Sequence, residues 1–535
     1  MSDLFIIEAP GKRKTLEALL ESMGRPGRVI ATKGHLCELP HSLRVPTVDA
    51  DFREVDRCAR DDGRIQNLVT AASSASKVII ATDADSEGDV IAWDIAEAIS
   101  HVCPAPLRMR LRGLDEESVR SALADAEPAR KEDAIPGRTR AIIDRLIGQV
   151  FSSEGVAVGR VSTAILGMIA IYEPSPYRLF LVAPDKNGGR PWRAYTDIRD
   201  PISVEVAKKL ASIDFPPISL EARISRNRSA DNLGDVLVKA GDELDMSPKQ
   251  ADRCMQSLYE AGSMSYPRAG SRGVSPMVSQ YLTMMAEKQG VRTSGYGVSE
   301  KATDDVHDAP HPLVSVDARR DPIKLGADEA ISTLITRGLF STISASQREV
   351  AGASAISSFL LQLGFSAEVA QLVASLEWTR EVGPRYPGQK SWVESELVKR
   401  RADTAILEKI VSIGLGRPST WANHVETFLS RGLVDDELKL TEKGVVWMRS
   451  SPRELLNPST SIAIERACEA MVGHQASSFP FGREPWEQLA AEIVSSLPPS
   501  LSAPIASFIE AHRALKIDKP STPVKIGSIA AIKNV

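Results

Sequence analysis

Short apolar runs alternate with amphipathic stretches over the first 125 or so residues. "LFIIEA" (4–9), "RVIAT" (28–32) and "KVIIATD" (77–83) are short, mainly apolar runs of strand length, the pattern of buried strands. "GKRKTLEALLES" and "SEGDVIAWDIAEAIS" follow the first and the third with helical spacing. This alternation predicts a parallel α/β sheet. From Ala126 the pattern turns mostly helical, with "IPGRTRAIIDRLIGQVF" as one strong helix. Between 180 and 224 it becomes strand-like and polar, in "YRLFLVAPD", "WRAYTDIRD" and "ISLEARIS". Near Ser247 it is helical again, and 391–440 resembles a helix-rich, winged-helix-like unit. After Leu497 the chain is rich in Pro, Ser and Lys and reads as an extended or partly disordered tail.

The 535 residues suffice for several domains. The net charge of −5 gives no global attraction to nucleic acid, so any such site needs local basic grouping. Cys37, Cys58, Cys103, Cys254 and Cys468 are scattered without a C-x-x-C pair, which argues against zinc ribbons and a disulfide framework and fits a reducing compartment. The first apolar run is too short for a signal peptide. The longest, "VSTAILGMIAIY", falls short of the ~20 residues of a membrane helix and reads as a buried helix. The expectation is a soluble cytoplasmic protein with no membrane partner.

Chemistry is concentrated in two stretches. "ATDADSEGDVIAWDI" leaves a strand and opens a helix, with Asp83, Asp85 and Glu87 alternating. Hard oxygen ligands in this arrangement suit Mg²⁺. Sites in open α/β sheets lie outside the carboxyl ends of the strands, and Glu8, ending the first strand, would add a fourth carboxylate there. A solvated acidic loop is the plainer reading. An EF-hand fits at Asp83, Asp85 and Gly88, but the flanking element is a strand and Asp94 stands where a bidentate Glu is expected. The second stretch is "SLYEAGSMSYPRAGSRG" (257–273). Ser247-Pro248-Lys249-Gln250 opens a helix with cap and Pro, Ala251, Cys254, Met255 and Leu258 form its buried face, and Gly262 stops it. "SMSYP" then reads as a short strand presenting Tyr266 and Arg268 on one face. Tyrosine can act as a nucleophile and arginine can hold a phosphate; a packed tyrosine beside an incidental arginine explains the same residues.

Taken together and in order, "IIEAPGKRKTLE", "ATKGHLCELP", "IATDADSEGDVIAWDI", "TRAIIDRLIG", "VGRVSTAIL", "LYEAGSMSYPR", "VHDAPHPL" and "GLGRPSTWANHVETFLSRGLV" resemble the motifs of the type IA DNA topoisomerases from about residue 4 to 445. The resemblance leans toward the bacterial topoisomerase I branch, in a compact form without zinc ribbons. It implies a multidomain α/β plus α torus: a TOPRIM domain (1–125), a discontinuous helical domain (126–180 and 391–497), a strand-rich arch (181–245 and 346–390), a tyrosine-bearing domain (246–345) and a tail (498–535). It implies ATP-independent, Mg²⁺-dependent cleavage of single-stranded or underwound DNA, by a monomer working on the nucleoid without a nucleotide cofactor. Tyr266 matches the nucleophile that forms a 5′-phosphotyrosyl bond. Glu8 matches the acid/base for the leaving 3′-oxygen, Lys12 the basic residue at the scissile phosphate, and Arg268 the arginine that stabilises phosphoryl charge. Asp83, Asp85 and Glu87, with Glu8, match the Mg²⁺ cluster. His307 matches the histidine near the phosphate. Arg140 and Asp144, four apart and close enough to pair, match a pair lining the DNA groove, and Arg160 a backbone contact.

Ser86, Ser162, Ala269, Gly270, Pro310 and His311 depart from the family's usual residues. They stand around the chemistry, not at the nucleophile or the carboxylates. The alternatives are a topoisomerase III-like decatenase, a TOPRIM nuclease or primase that would not need Tyr266, and a DNA-binding protein without activity.

Overall fold

In the computed structural model the N-terminal apolar runs are neighbouring strands of one sheet. The structure describes residues 2–40, 42–55, 57–60, 62–225, 229–295, 297–302, 307–344, 347–380, 384–388, 394–470 and 483–512. The first sheet has the order β2-β1-β3-β4-β5, with β1 Asp3–Ile7, β2 Gly27–Ala31, β3 Val78–Asp83, β4 Leu107–Leu111 and β5 Glu127–Pro128. The first four are parallel and only β5 runs against β4. β3 is buried at every position, which is why its sequence shows no polar alternation. Phe5, Ile7, Ile79 and Ala81 face α1 (Arg13–Ser22) and Val119 and Ala122 of Glu116–Ala124, while Leu4, Ile6, Val78 and Ile80 face the helix Ser86–Ile99. The latter is labelled α2 and the former α3.

A larger core joins α4 (Ile135–Phe151), α5 (Arg160–Tyr172), α6 (Pro248–Glu260) and α7 (Pro276–Lys288) to the helices Leu233–Leu244 and Ala402–Ile413. The longest apolar run is α5, a buried helix as its length predicts. No helix among the described residues is long and apolar enough to cross a membrane. The strand-like segments form a second, antiparallel sheet of six strands around Trp192 and Trp378. Its strands begin at Tyr177 and end at Lys399, so Glu396–Lys399 pairs with Tyr177–Ala183 within the stretch expected to be helical.

The C-terminal expectation needs correction. Pro458–Glu469 (α8) and Pro485–Ser496 (α9) are followed by another helix, Pro499–Ala511 (α10). Leu501, Ile505 and Ile509 recur every four residues and are buried, a periodicity hidden by the Pro and Ser around them. Residues 513–535 of the expected tail lie outside the described residues.

One glycine fixes how α2 leaves β3. A Cβ on Gly88 would lie 2.1 Å from the carbonyl oxygen of Asp83. Its own carbonyl accepts a 2.7 Å hydrogen bond from the buried Thr82 hydroxyl. Gly88→Ala should therefore lower stability by about 1–3 kcal/mol despite alanine's better helix propensity. Chemical denaturation measures this; an unchanged or raised midpoint would contradict the close approach.

Candidate active site

β1 and β3 are adjacent and parallel, so their carboxyl ends bring Glu8 and Asp83 to one edge. Beyond Asp83 the chain turns directly into α2. Asp85 caps that helix, its Oδ1 accepting from the Gly88 N–H at 2.7 Å, and Glu87 lies in the first turn. Both carboxylates are favoured at the positive end of the helix dipole.

Lys12, in the turn Pro10–Lys12, is fully buried. It donates to Glu8 Oε1 at 2.7 Å and also to Asp83 Oδ1. Burial, reinforced by the charge of Asp83, pushes the Glu8 carboxyl up to about 8 despite Lys12. Burial would also raise Asp83, but Lys12 and the hydrogen bonds around it outweigh that and hold it at about 2. Burial and mutual repulsion thus favour a single proton on this carboxyl pair at neutral pH, with Glu8 raised and Asp83 lowered.

The tyrosine corner is built from the next interface. Ser247 caps α6, accepting from Gln250 N–H at 3.1 Å, and Gly262 ends the turn in the left-handed region at φ 72°. Tyr259, in the last turn, donates to Asp83 Oδ1 at 2.8 Å, and the Lys12 ammonium lies 4.9 Å from its ring centroid. Tyr266 donates to Asp85 Oδ2 at 2.6 Å. Its ring meets Tyr259 edge-on at 5.6 Å and stacks on His307 at 4.3 Å. Burial, then the charge of Asp85, raises the Tyr266 hydroxyl well above its ordinary value. The expected strand is absent: Tyr266 N–H bonds to Arg112 O, Ser265 N–H bonds to His311 O, and Met264 makes an isolated bridge to Pro312. Neighbouring backbone groups find partners on different segments, so no ladder forms.

Arg268 lies 3.7 Å from Asp252, and its Nε is buried without a hydrogen bond in the protein. His307 Nε2 lies 2.9 Å from the carbonyl oxygen of Ala84, which assigns the proton to Nε2 and leaves the buried Nδ1 as a bare acceptor. Burial lowers this imidazole to about 4, so the ring is neutral. His307 in this tautomer orients Tyr266 by stacking and has no charge to offer a phosphate. Of the departures, Ala269 is buried, Gly270 O accepts from Asn232 Nδ2 at 3.3 Å, and His311 is buried against Ala309 O.

The expected Arg140–Asp144 pair is not formed. Arg140 lies 2.6 Å from Glu465 of α8, and Asp144 accepts from Arg160 Nε at 2.7 Å. Arg160 also reaches Ser461 and lies 3.1 Å from Glu465. α8 packs against both α4 and α5, so Glu465 becomes a partner that no spacing within one helix could reveal. Arg417 links this cluster to the acidic turn: it donates to Ser86 Oγ at 2.7 Å and Glu87 Oε1 at 3.0 Å, and lies 3.4 Å from Glu465. Glu87 also pairs with His35 Nε2 at 2.9 Å. The hydrogen bond to His35, with Arg417 beside it, holds Glu87 at about 2 against its burial.

Four site residues thus escaped sequence reasoning. His35, Arg417 and Tyr259 stand inside the motifs "ATKGHLCELP", "GLGRPSTWANHVETFLSRGLV" and "LYEAGSMSYPR" without an assigned role, and Glu465 left no signal. The carboxylates, all oxygen donors, fit Mg²⁺ in kind. Among the described residues, however, no three such groups are arranged to hold a metal ion, and Asp83 and Glu87 are engaged by Lys12, Tyr259, His35 and Arg417.

Residues 3–112 match the Toprim domain. The chain is 26% identical to Reverse gyrase 2 of Aeropyrum pernix over 76% of its own length, but spans only 36% of that protein. It is 31% identical to DNA topoisomerase 1 of Campylobacter jejuni over 31% of its length, a quarter (25%) of that relative. With DNA topoisomerase 1 of Aquifex aeolicus it shares 24% identity over 82% of this chain and 88% of the other. Full-length topoisomerase I from Thermotoga maritima has the same fold, with a TM-score of 0.61 over 94% of this chain and 90% of that one at 18% identity. Relatives named DNA topoisomerase 1 aligned over most of its length, a Toprim domain carrying the acidic edge, and a fold shared nearly end to end make this chain similar to the type IA DNA topoisomerases.

Proposed function

We propose that the chain cuts single-stranded or underwound DNA through Tyr266, lets a strand pass and reseals the break, relaxing negative supercoils without ATP. The observation that carries this reading is a pair of complementary proton sites on one strand edge. The Tyr266 hydroxyl points its proton at the Asp85 carboxylate, while burial and the charge of Asp83 raise the Glu8 carboxyl toward its protonated form beside Lys12. In cleavage the Tyr266 oxygen bonds to phosphorus, the bond from phosphorus to the 3′-oxygen breaks, the tyrosine proton moves to Asp85 and the Glu8 proton moves to the leaving oxygen. Glu8 then becomes an anion against the Lys12 ammonium, so no charge is created without a partner. Resealing reverses each transfer. The unpartnered Arg268 Nε supplies a donor for the phosphoryl oxygens.

Asp83, Asp85, Glu87 and Glu8 are the oxygen donors that Mg²⁺ would take, and only after Asp83 and Glu87 leave Lys12, Tyr259, His35 and Arg417; bound there, its charge would steady the phosphate. Arg140 pairs with Glu465 without a well-aligned hydrogen bond, so its guanidinium retains donors for a strand entering along α4, with Asp144 and Arg160 holding the wall in shape. Tyr266 is only 1% exposed, so DNA reaches it only when α6 and the strand edge separate.

Tyr266→Phe should abolish both relaxation of negatively supercoiled plasmid and the protein–DNA adduct trapped by denaturant; relaxation by this variant would contradict the assignment. Glu8→Gln should slow cleavage by about 100-fold on ordinary DNA. The loss should vanish on a substrate with sulfur in place of the bridging 3′-oxygen, because a thiolate leaves without a proton; an equal loss on both would remove Glu8 from that role. Tyr259→Phe keeps the ring under Lys12 but removes the hydrogen bond to Asp83. It should slow single-turnover cleavage about tenfold with DNA affinity unchanged, and a pure affinity loss would count against this placement.

A further inference from the structure

Three arginines share one carboxylate beside the acidic turn. Glu465 lies 2.6 Å from Arg140, 3.1 Å from Arg160 and 3.4 Å from Arg417. Asp144 also accepts from Arg160, and Glu87 Oε1 accepts from Arg417 Nη2 at 3.0 Å. Three guanidiniums thus face three ion-paired carboxylates, Glu465, Asp144 and Glu87. Asp85 is engaged by Tyr266 instead, and Glu469, one turn along α8, is exposed and joins none of these pairs. Burial lowers the neighbouring His424 to about 4, so its ring is neutral. Resting on the cleavage reading above, we propose that Arg417 is a positioning residue for the metal site: it holds Glu87 until a phosphodiester of a strand along α4 takes the place of that carboxylate, so that Mg²⁺ and single-stranded DNA bind this protein cooperatively.

Both oxygens of Glu87 are occupied, Oε1 by Arg417 and Oε2 by His35 at 2.9 Å. His35 belongs to the same Toprim stretch as Glu87, 3–112. Arg417 comes from outside it, after the helix Ala402–Ile413, and reaches across to Ser86 Oγ at 2.7 Å as well as to Glu87. It is therefore the tie that a ligand on the helical side can alter. The charges decide the sign of the coupling. If Glu87 turned to a metal with no strand present, three guanidiniums would face two carboxylates, and Arg140 and Arg160 are buried. A buried charge without its counterion is costly. A strand without the metal would set its phosphate beside Glu87, a like charge. With both ligands present, one phosphodiester charge replaces the one that Glu87 withdraws. Donors for it are in place: Arg140 Nε, Nη1 and Nη2 are buried without a hydrogen bond in the protein. Each ligand removes the penalty on the other, and the coupling is the same read from either side.

The test is calorimetric titration of Mg²⁺ into the full chain carrying Tyr266→Phe, which lacks the nucleophile, alone and saturated with a short oligothymidylate. Binding of Mg²⁺ to the oligonucleotide itself is subtracted. The oligonucleotide should tighten Mg²⁺ binding by about tenfold. Arg417→Gln, added to this background, should tighten it already without DNA and leave the oligonucleotide less than about twofold to add. Ser86→Ala removes only one bond to Arg417 and leaves the buried ion pairs intact; it should move the DNA-free affinity the same way by a smaller factor. No tightening by the oligonucleotide in the Tyr266→Phe protein, or an equal tightening in the Arg417→Gln variant, would overturn the coupling while leaving cleavage by Tyr266 intact. Adduct formation is scored separately with Tyr266 present: its absence would contradict the cleavage reading, whatever the calorimetry gives.

Discussion

The site depends on one buried ammonium. Lys12 is inaccessible to water and is tolerated there because Glu8 and Asp83 both accept from it. Removing Asp83, the partner held as the carboxylate, would leave that buried charge without its counterion, a loss of about 3–5 kcal/mol. The requirement ties the turn after β1 to the end of β3, and so fixes the strand edge. Asp83 also accepts from Tyr259, which binds the end of α6 to that edge and leaves Tyr266, seven residues on, over Asp85. Burial, then the charge of Asp83, raises the Glu8 carboxyl against the opposing pull of Lys12.

The two tyrosines divide the work between them. Tyr259 is locked to Asp83 and lies under Lys12, a position from which it shapes the acid pair. Tyr266 is held between Tyr259 and the neutral ring of His307, its proton already directed at Asp85. In this closed arrangement the reacting groups satisfy one another. Arg417 extends the arrangement outward, joining the acidic turn to Glu465 and the arginines of α4 and α5, so the helix after the late Gly-Arg-Pro motif is coupled to the strand edge.

Local physics made much of this legible. Short, mainly apolar runs gave β1, β2 and β3, and strand-to-helix order placed the acidic residues at their carboxyl ends. The cap, Pro and Gly around α6 marked a corner before Tyr266. Long-range choices were hidden. Tyr259 sits on an amphipathic face, where apolar packing and a hydrogen bond to Asp83 have the same spacing. Arg140 and Asp144 have the right separation to pair, but Glu465 arrives from more than 300 positions away and takes Arg140 for itself. "SMSYP" has the alternation of a strand, yet its backbone groups are claimed by Arg112 and His311. α10 was masked by its prolines.

The central claim is the proton on Glu8. Infrared difference spectroscopy of the metal-free protein, titrated with and without Glu8→Gln, reads it directly. The account expects a protonated carboxyl band that persists at neutral pH, disappears as pH rises through about 8, and is missing from the variant. A Glu8 carboxyl that is already ionised by pH 6, titrating in the ordinary range of glutamate near 4.3, would contradict it.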